Sequence, residues 1–318
     1  MIAPSVARPD PERQDVRHAR AVEGAAQAKV NLRLKILARE AGGHHQLETL
    51  FMRLDLADTV RVRRTPGART LDVQGVAEGS LGPVERNLAW RAAVGYAETG
   101  HWVGGFALEL EKRIPAGGGL GGGSADAGTV LRALDAMARV PLAPDRLLAI
   151  AASLGADVPF MTCSAPLALA WGRGERLLAL EPLPQRTALL VCPPFGVNTA
   201  AAFGWLADSR SAAGRSDGEA ARIFSIAELT SWSALEGLAE NDFDPVVAAR
   251  HPEVSGSVSW LRDAGCTIAM MSGSGSTVFG LLPPGDEMAL PAAAGMPSGS
   301  RLLASRTAAR VEPIRPTE

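Results

Sequence analysis

Six glycines lie in the ten residues from Pro115 to Ser124, a segment called here the glycine loop. An alternating, strand-like segment precedes the loop and an apolar helical pattern follows it, so the chain runs strand, loop, helix. Glycine adopts φ > 0 and lets a bulky ligand approach peptide N–H groups, and a helix N-terminus adds unpaired N–H groups and a positive dipole end. The arrangement predicts a binding site for an anion, most often phosphate.

A glycine-rich segment of this kind could also be a Walker A loop, a dinucleotide-binding loop or a flexible linker. A Walker A loop is excluded, because no lysine precedes Ser124. Gly117, Gly119 and Gly122 match the Gly-x-Gly-x-x-Gly of dinucleotide-binding folds, but a segment so rich in glycine produces that match by chance. That fold also needs an acid at the end of a second strand about 20 residues on, where this chain is still helical. A flexible linker would be flanked by more serine and glycine. The dinucleotide-binding fold and the flexible linker stay open as the weaker alternatives.

Lys29 and Asp157 are candidates for phosphoryl transfer, which needs charge neutralised around the phosphate and a base for the attacking hydroxyl. Asp157 lies among small and apolar residues in Gly155-Ala-Asp-Val-Pro159. Lys29 lies two residues before Asn31, so both side chains share one face of a strand. The competing interpretations are an aspartate that closes a turn or caps a helix, and a lysine that faces solvent.

Periodicity and chain breakers predict the elements that must position these residues. Strands are predicted at 25–37, 47–64, 106–114, 187–192, 267–271 and near 301–308, and a hairpin at 167–180. Helices are predicted at 87–99 with Asn87 as the N-cap, after the glycine loop, at 144–154, at 199–206 and over most of 245–264. Mixed elements without strict alternation predict an α+β chain of two domains.

Composition limits the kinds of partner. The net charge is −2 and no basic run occurs, which argues against nucleic acid or a membrane surface as the partner. No apolar run approaches the roughly 18 residues that a membrane helix needs. Cys163, Cys192 and Cys266 are scattered and odd in number, so disulfides and structural zinc are not expected. We therefore predict a cytoplasmic protein that acts on a small molecule, as a monomer or homodimer.

Three ordered segments resemble the GHMP kinases. The glycine loop, with its Pro-x3-Gly-Leu-Gly-Gly-Gly-Ser pattern, is similar to the ATP loop of that family. Ala28-Lys-Val-Asn-Leu-Arg-Leu34 near the start and Met271-Ser-Gly-Ser-Gly-Ser-Thr-Val-Phe-Gly280 near the end are similar to two further family segments. The resemblance covers about residues 25 to 310 and implies ATP and Mg²⁺ as cofactors. It also implies that the third segment closes on the phosphates or on the substrate.

Within the family, Gly155-Ala-Asp-Val-Pro-Phe160 and Asn241-Asp-Phe-Asp-Pro245 are similar to members that phosphorylate a cytidyl diphosphate ester. Such an ester is the expected small-molecule substrate. Three alternatives stay open: a family member acting on homoserine or mevalonate, a nucleotide-binding module without catalysis, and a dinucleotide-dependent oxidoreductase.

The resemblance also implies domain limits and a fold. It implies a ribosomal-protein-S5-like, ATP-binding N-terminal domain over residues 25–183 and a ferredoxin-like C-terminal domain over residues 184–312. Residues 1–24 mix acidic and basic side chains and lack the apolar stretch of a signal peptide, so we expect them to be a disordered extension.

The catalytic and ATP-binding roles are carried over by position. Lys29 and Asp157 are implied to be catalytic, with Lys29 lowering the pKa of the reacting hydroxyl and offsetting phosphate charge and Asp157 acting as the base. The residues implied to bind ATP are Pro115, Ala116, Gly117, Gly118, Gly119, Leu120, Gly121, Gly122, Gly123, Ser124, Ala125, Asn87 and Lys112. Asn87 could instead be only a helix cap, and Lys112 only a surface lysine.

The start of the helix after the loop offers two further polar groups. Ser124 is expected to begin that helix, either as its N-cap or as a contact to phosphate or magnesium. Asp126, expected in the first turn, suits the helix dipole and could hold magnesium indirectly. Ala125 stands where the family usually has a second serine. The sequence does not identify the metal ligands.

The substrate-binding residues are implied by the same resemblance. Asn31 would orient the substrate, and Thr199 would contact it. Gly43-His44-His45 matches a family Gly-Tyr-His, so His45 would bond the cytosine edge while His44 replaces the tyrosine that stacks on the ring. Phe203 matches the aromatic residue on the opposite face of the ring, although core packing is the competing interpretation.

Overall fold

The structure is a computed structural model that describes residues 16–40, 42, 45–76, 82–213, 224–285 and 292–317. The strands are β1 (Ala21–Arg39), β2 (His45–Thr65), β3 (Arg69–Gln74), β4 (Gly105–Glu111), β5 (Leu167–Gly172), β6 (Arg176–Leu180), β7 (Thr187–Cys192), β8 (Glu240–Asn241), β9 (Ile268–Met271), β10 (Val278–Leu281), β11 (Arg301–Arg306) and β12 (Arg315–Pro316). The helices are α1 (Leu88–Ala97), α2 (Gly122–Met137), α3 (Pro144–Leu154), α4 (Val158–Thr162), α5 (Thr199–Ala212), α6 (Ile226–Leu229), α7 (Trp232–Leu238), α8 (Asp244–Ala248) and α9 (Pro252–Asp263).

The strands form two sheets. The larger has the order β12-β1-β2-β4-β3, with β5 also paired to β2, β6 to β5 and β8 to β1. The smaller is antiparallel with the order β11-β7-β10-β9. In the larger sheet β2 lies between β1 and β4 and is antiparallel to both. The α+β prediction is therefore confirmed, and the mostly parallel sheet that a dinucleotide-binding fold requires is not the architecture of the described residues.

Strand β1 contributes to all three hydrophobic clusters of the described residues. Its inward side chains enter the clusters in turn: Val22 and Ala26, then Ala28, Val30 and Leu32, then Leu34 and Ile36. The pairing of β1 with β2 changes register between Gln27 and Lys29 and again between Asn31 and Arg33. Such irregularities re-aim side chains and are frequent beside active sites, and here they bracket the Lys29-Val30-Asn31 segment.

The expected disordered extension over residues 1–24 is wrong for residues 16–24. Val16, Ala19 and Val22 are buried in the first hydrophobic cluster, and β1 begins at Ala21. The charged residues between these small apolar side chains concealed their spacing of three residues. Residues 1–15 lie outside the described part of the chain, and the domain limits 25–183 and 184–312 stay predictions.

Cys163, Cys192 and Cys266 are free thiols, as the sequence predicted. Among the described residues, no helix is both long and apolar enough to cross a lipid bilayer.

The stability of the fold should depend on the protonation of Asp244, the first residue of α8. Burial raises the pKa of its carboxyl from 3.8 to about 7, against the opposing effects of the Met271 N–H and Arg262. The folded protein therefore binds this proton more tightly than the unfolded chain, and the stabilisation is full below pH 3.8 and lost as pH rises through about 7.

We expect the free energy of unfolding of the wild type, relative to Asp244→Asn, to fall between pH 4 and pH 7. Urea unfolding at several pH values measures this difference. Parallel pH profiles for the two proteins would contradict the prediction.

Candidate active site

A cavity of about 540 Å³ lies where the glycine loop, β1, the start of α1 and residues 273–275 meet. Its lining includes most of the predicted site: Lys29, Asn31, Asn87, Lys112, every residue of the glycine loop from Pro115 to Ser124, Asp157, Thr199 and Phe203. Ala125 and His45 are not among the lining residues. His44 lies outside the described residues. The structure thus brings residues from distant parts of the chain to one cavity.

Close packing explains why the loop is so rich in glycine. Gly117, Gly119 and Gly121 all have positive φ, at 69°, 80° and 72°. A Cβ on Gly119 would clash with the Ser272 carbonyl oxygen, and a Cβ on Gly118 would clash with the Thr277 hydroxyl. The loop therefore needs glycine where it meets its own protein, as well as where a ligand would approach.

Helix α2 begins earlier than predicted. Gly121, in the left-handed conformation, is its N-cap, so Ser124 is the third helical residue and Asp126 the fifth. The predicted N-cap role of Ser124 and the first-turn position of Asp126 are wrong, because the positive φ of Gly121 turns the chain into the helix before Ser124. No side chain caps the first turn. Gly122, Gly123 and Ser124 line the cavity, so the N–H groups of this turn are available to an anion bound there.

Ala125, the residue after the glycine loop, does not lie where its predicted contact with ATP requires. Its methyl group is fully buried in the first hydrophobic cluster. Its N–H already donates to the Gly121 carbonyl oxygen at 2.8 Å, within the helix. The predicted ATP contact at Ala125 is therefore not supported by its position.

Lys29 lies at the centre of the site. Its Nζ donates to Asn31 Oδ1 at 2.8 Å and to the Gly119 carbonyl oxygen at 2.9 Å, and it lies 3.4 Å from Asp157 Oδ2. Its backbone N–H donates to the carbonyl oxygen of Leu120 at 3.0 Å. The side chain is only 4% exposed, so the solvent-facing alternative is wrong. Lys29 and the glycine loop are thus joined through both side chain and backbone.

Asp157 precedes α4 and faces Lys29 from the opposite wall. Its carboxylate caps no backbone N–H of that helix, and 30% of the side chain is exposed. The buried Arg53 holds the other end of α4, donating to the carbonyl oxygens of Phe160 at 2.7 Å and Cys163 at 3.1 Å. The capping interpretation of Asp157 is therefore not supported, and the carboxylate remains open to a ligand in the cavity.

Asn31 is held on both sides. Its Oδ1 accepts from Lys29, and its Nδ2 donates to Thr49 Oγ1 at 2.7 Å. Thr49 in turn donates to the carbonyl oxygen of Arg33 at 2.8 Å and lines the cavity. Thr49 was missed from the sequence because its partner Asn31 lies on another strand. Asn31 orients Lys29, and its contact to a substrate stays a prediction.

Lys112 forms a buried ion triad with two carboxylates. Its Nζ contacts both Asp58 and Asp126. Burial alone would lower the pKa of Lys112, but the two carboxylates outweigh it and the net pKa is raised. Burial raises the pKa of Asp126 to about 7, against the effect of Lys112. Lys112 is therefore not a surface lysine, and its ammonium already has partners in the cavity wall.

Asp58 is a site residue that the sequence did not reveal. Its Oδ1 accepts from the backbone N–H of Ile114 at 2.8 Å, immediately before the glycine loop. The carboxylate thus fixes the start of the loop to β2 while it also holds Lys112. An aspartate among the apolar residues of β2 was the available signal, but its partners lie more than 50 residues away along the chain.

Three of the predicted substrate residues, His45, Thr199 and Phe203, lie at or beside α5. The Phe203 ring stacks on His45, with centroids 4.3 Å apart, and meets Phe243 edge-on at 5.0 Å. Thr199 lies one turn before Phe203, with its Oγ1 2.9 Å from Ser274 Oγ. Phe203 lines the cavity and also packs against the third hydrophobic cluster, so both interpretations of this residue have a structural basis.

The segment Ser272–Thr277 closes one side of the glycine loop. Ser272 Oγ donates to the Gly119 carbonyl oxygen at 2.9 Å, and the Thr277 N–H donates to the Gly118 carbonyl oxygen at 3.1 Å. The third segment thus packs directly on the glycine loop, and its contact with the phosphates or the substrate stays a prediction.

Comparison with known proteins extends these observations. The model of the GHMP kinases N terminal domain matches residues 87–165, and that of the GHMP kinases C terminal domain matches residues 225–292. The 4-diphosphocytidyl-2-C-methyl-D-erythritol kinase of Parvibaculum lavamentivorans is 38% identical, over 84% of this chain and 90% of its own length. The enzyme of that name from Geobacter sp. is 40% identical, over 80% and 88%.

Solved structures of two kinases also resemble this chain. The crystal structure of a 4-(cytidine 5'-diphospho)-2C-methyl-D-erythritol kinase is 34% identical with a TM-score of 0.65, covering 90% of this chain and 99% of that one. A homoserine kinase from Cytophaga hutchinsonii has a TM-score of 0.67 at 17% identity, covering 94% and 98%. The second likeness shows the fold alone. Shape therefore does not separate the two substrates, and the sequence likeness carries that distinction.

Proposed function

Since this chain belongs to the GHMP kinases, we propose that it transfers the γ-phosphoryl group of ATP to the 2-hydroxyl of 4-diphosphocytidyl-2-C-methyl-D-erythritol. This reaction belongs to the non-mevalonate route to isoprenoid precursors. The observation that carries the proposal is the Lys29–Asp157 pair, 3.4 Å apart, beside the glycine loop in one cavity. The chain has the two-domain α+β fold of its family, as the sequence predicted.

The chemical step needs a base and a positive charge near the reacting atoms. Asp157 accepts the proton of the substrate hydroxyl as its oxygen attacks the γ-phosphorus and the bond to the β-phosphate oxygen breaks. Lys29 offsets the charge that accumulates on the transferred group. The glycine loop and the uncapped first turn of α2 hold the remaining phosphate oxygens through backbone N–H groups.

Magnesium is part of the proposal because ATP carries it into such sites. Within the described chain no group of three His, Cys, Asp or Glu side chains could hold a metal alone. Mg²⁺ usually takes only one or two carboxylates together with phosphate oxygens and water. Asp126 Oδ1 is buried without a hydrogen-bond partner among the described residues, whereas Ser124, two residues earlier in the same helix, lies on a different side of it. Asp126 would therefore hold the ion together with phosphate oxygens and water, and the ion would neutralise charge on the phosphates.

The cytidine half of the substrate has an aromatic surface available. Phe203 would stack on the base while His45 bonds its edge, a role that requires the His45 ring to leave its present stack on Phe203. Homoserine and mevalonate have no ring that such a surface would serve. ATP consumption measured with the cytidyl substrate, homoserine and mevalonate in turn tests the proposal. Activity confined to homoserine or mevalonate would reject it.

Replacing Phe203 by alanine should raise the Michaelis constant for the cytidyl substrate and leave that for ATP nearly unchanged. Loss of one aromatic stack costs about 1–3 kcal/mol, which corresponds to about 5- to 150-fold. Phe195→Ala is the matched control, because Phe195 packs against the same hydrophobic cluster without lining the cavity. Equal effects on both Michaelis constants, or equal effects of the two variants, would identify Phe203 as a packing residue only.

Several attributes of the protein rest on composition alone. The cytoplasmic location, the monomeric or homodimeric state and the lack of nucleic-acid and membrane partners stay predictions.

A further inference from the structure

Asn241 is a buried amide whose hydrogen-bonding groups are all used. Its Nδ2 donates to the carbonyl oxygens of Met271 at 2.9 Å and Gly273 at 2.8 Å. Its Oδ1 accepts from the backbone N–H of Phe243 at 2.9 Å. Because carbonyls face the NH₂ group and an N–H faces the oxygen, the orientation of the amide is determined by its partners. The side chain itself is not among those that line the cavity.

One set of these hydrogen bonds leads to the catalytic lysine. Met271 and Gly273 flank Ser272, whose hydroxyl donates to the Gly119 carbonyl oxygen at 2.9 Å. The same oxygen accepts from Lys29 Nζ at 2.9 Å. A Cβ on Gly273 would lie 3.3 Å from that Nζ, so the turn lies directly beside the ammonium group. The position of the turn therefore influences both the glycine loop and the place of Lys29.

The remaining hydrogen bond leads to the aromatic end of the cavity. Phe243, whose N–H is held by Asn241, is 2% exposed and meets the Phe203 ring edge-on at 5.0 Å. Phe243 lines the cavity as well. Asn241 lies at the end of β8, which pairs with β1 at Leu34. The amide is thus attached to the strand that also carries Lys29.

We propose that Asn241 is a positioning residue that holds the Ser272–Gly275 turn against the glycine loop and the Phe243 ring against Phe203. It touches neither substrate and acts through the groups that do. One amide thus fixes the position of the phosphate end of the cavity relative to the aromatic end. This role rests on the proposed function. The competing explanation is a buried asparagine that contributes only to stability.

Asn241→Asp should disturb the phosphate end of the cavity and leave its aromatic end unchanged. Aspartate keeps the size of the side chain and an acceptor for the Phe243 N–H, but it turns a second oxygen toward the carbonyls of Met271 and Gly273. We expect turnover to fall by about 10- to 100-fold, because the turn and Lys29 shift relative to the phosphates. The affinity for a non-hydrolysable ATP analogue should fall as well. The Michaelis constant for the cytidyl substrate should stay near the wild-type value.

Val247→Ala is the control for stability. Val247 is fully buried three residues into α8, and it packs in the third hydrophobic cluster without contacting the turn through hydrogen bonds. Its truncation should lower the unfolding midpoint and leave the kinetic constants of the folded protein unchanged. If Asn241→Asp shows only a lowered midpoint, as Val247→Ala does, Asn241 is a stability residue and the proposal is overturned.

Ser272→Ala tests the connection itself. It removes the hydroxyl contact to Gly119 that lies between Asn241 and Lys29. The double variant with Asn241→Asp should lose less turnover than the product of the two single effects, since both act through one turn. Fully multiplicative losses would overturn the proposal. If Asn241→Asp does not fold, Asn241→Ala takes its place in the turnover and ATP-analogue measurements. Alanine also removes the acceptor for the Phe243 N–H, so the Michaelis constant for the cytidyl substrate should then rise as well.

The affinity for the ATP analogue tests the role of Asn241 independently of the proposed function. Calorimetry with the ATP analogue needs no acceptor substrate. A wild-type protein without activity on the cytidyl substrate would reject the proposed function. Unchanged analogue affinity together with unchanged turnover in the Asn241 variants would overturn the positioning role.

Discussion

Replacing Asp157 by asparagine is expected to lower the turnover number by about 10²–10⁴-fold, which is the usual contribution of a positioned general base. Asparagine keeps the shape of the side chain and removes its ability to accept the hydroxyl proton. The fold should be unaffected, because the Asp157 carboxylate caps no backbone N–H of α4. Steady-state kinetics, combined with direct binding of both substrates, measures the effect. Binding should persist in the variant.

Lys29→Met provides the second arm of this experiment. Lys29 is 3.4 Å from Asp157, so the two residues are expected to act as one unit. The double variant should therefore lose less turnover than the two single effects combined. Near-normal turnover of Asp157→Asn would show that the aspartate is only a turn residue, and the catalytic assignment would have to be withdrawn.

Gly119→Ala should be the most damaging small substitution in the glycine loop. The added methyl group meets the Ser272 carbonyl oxygen, and the backbone at φ 80° disfavours any side chain. The loop must move away from the turn, which displaces the carbonyl oxygen that holds Lys29. We expect turnover to fall by about 100-fold, the cost of a misplacement of about 1 Å, and ATP affinity to fall with it.

Gly117→Ala is the matched control for that result. Gly117 also has a positive φ, at 69°, but a Cβ there would meet nothing within 4 Å. Only the backbone cost of about 1–2 kcal/mol remains, so its effect on turnover should be much smaller. Calorimetry with ATP and kinetics on both folded proteins make the comparison. Similar losses in the two variants would mean that the close contact with Ser272 is irrelevant to function.

Local signals in the sequence predicted many elements accurately. The predicted limits of α3 and β7 coincide with those observed, and β5 and β6 form the predicted hairpin. Asn87 caps α1 as predicted, accepting from the Ala89 N–H at 2.9 Å. The sequence signals for these features lie within the element or hairpin concerned. Neighbouring side chains are enough to specify them.

Contacts between distant segments were not predictable in the same way. Four strands were missed, because they gain strand character only from the partners beside them: β3, β8, β10 and β12. Lys112 was assigned to ATP, whereas its ammonium contacts Asp58, 54 residues away. Asn241 belonged to a recognised segment, yet its partner Met271 lies 30 residues further on. A single sequence does not reveal which buried polar groups meet.

The passage of β1 through all three hydrophobic clusters has a consequence for motion at the site. Local opening of a protein costs least where few buried contacts are lost, and most where an element is shared by the whole core. Amide hydrogens of β1 that donate to β2 should therefore exchange with solvent only when the entire protein unfolds. Amides in the glycine loop, whose Gly117 faces open space, should exchange through smaller openings, and the Lys29 N–H, which donates to Leu120 in that loop, should exchange with them. Any closing and reopening of the cavity during a catalytic cycle is then carried by the loop, while the strand that carries Lys29 stays in place.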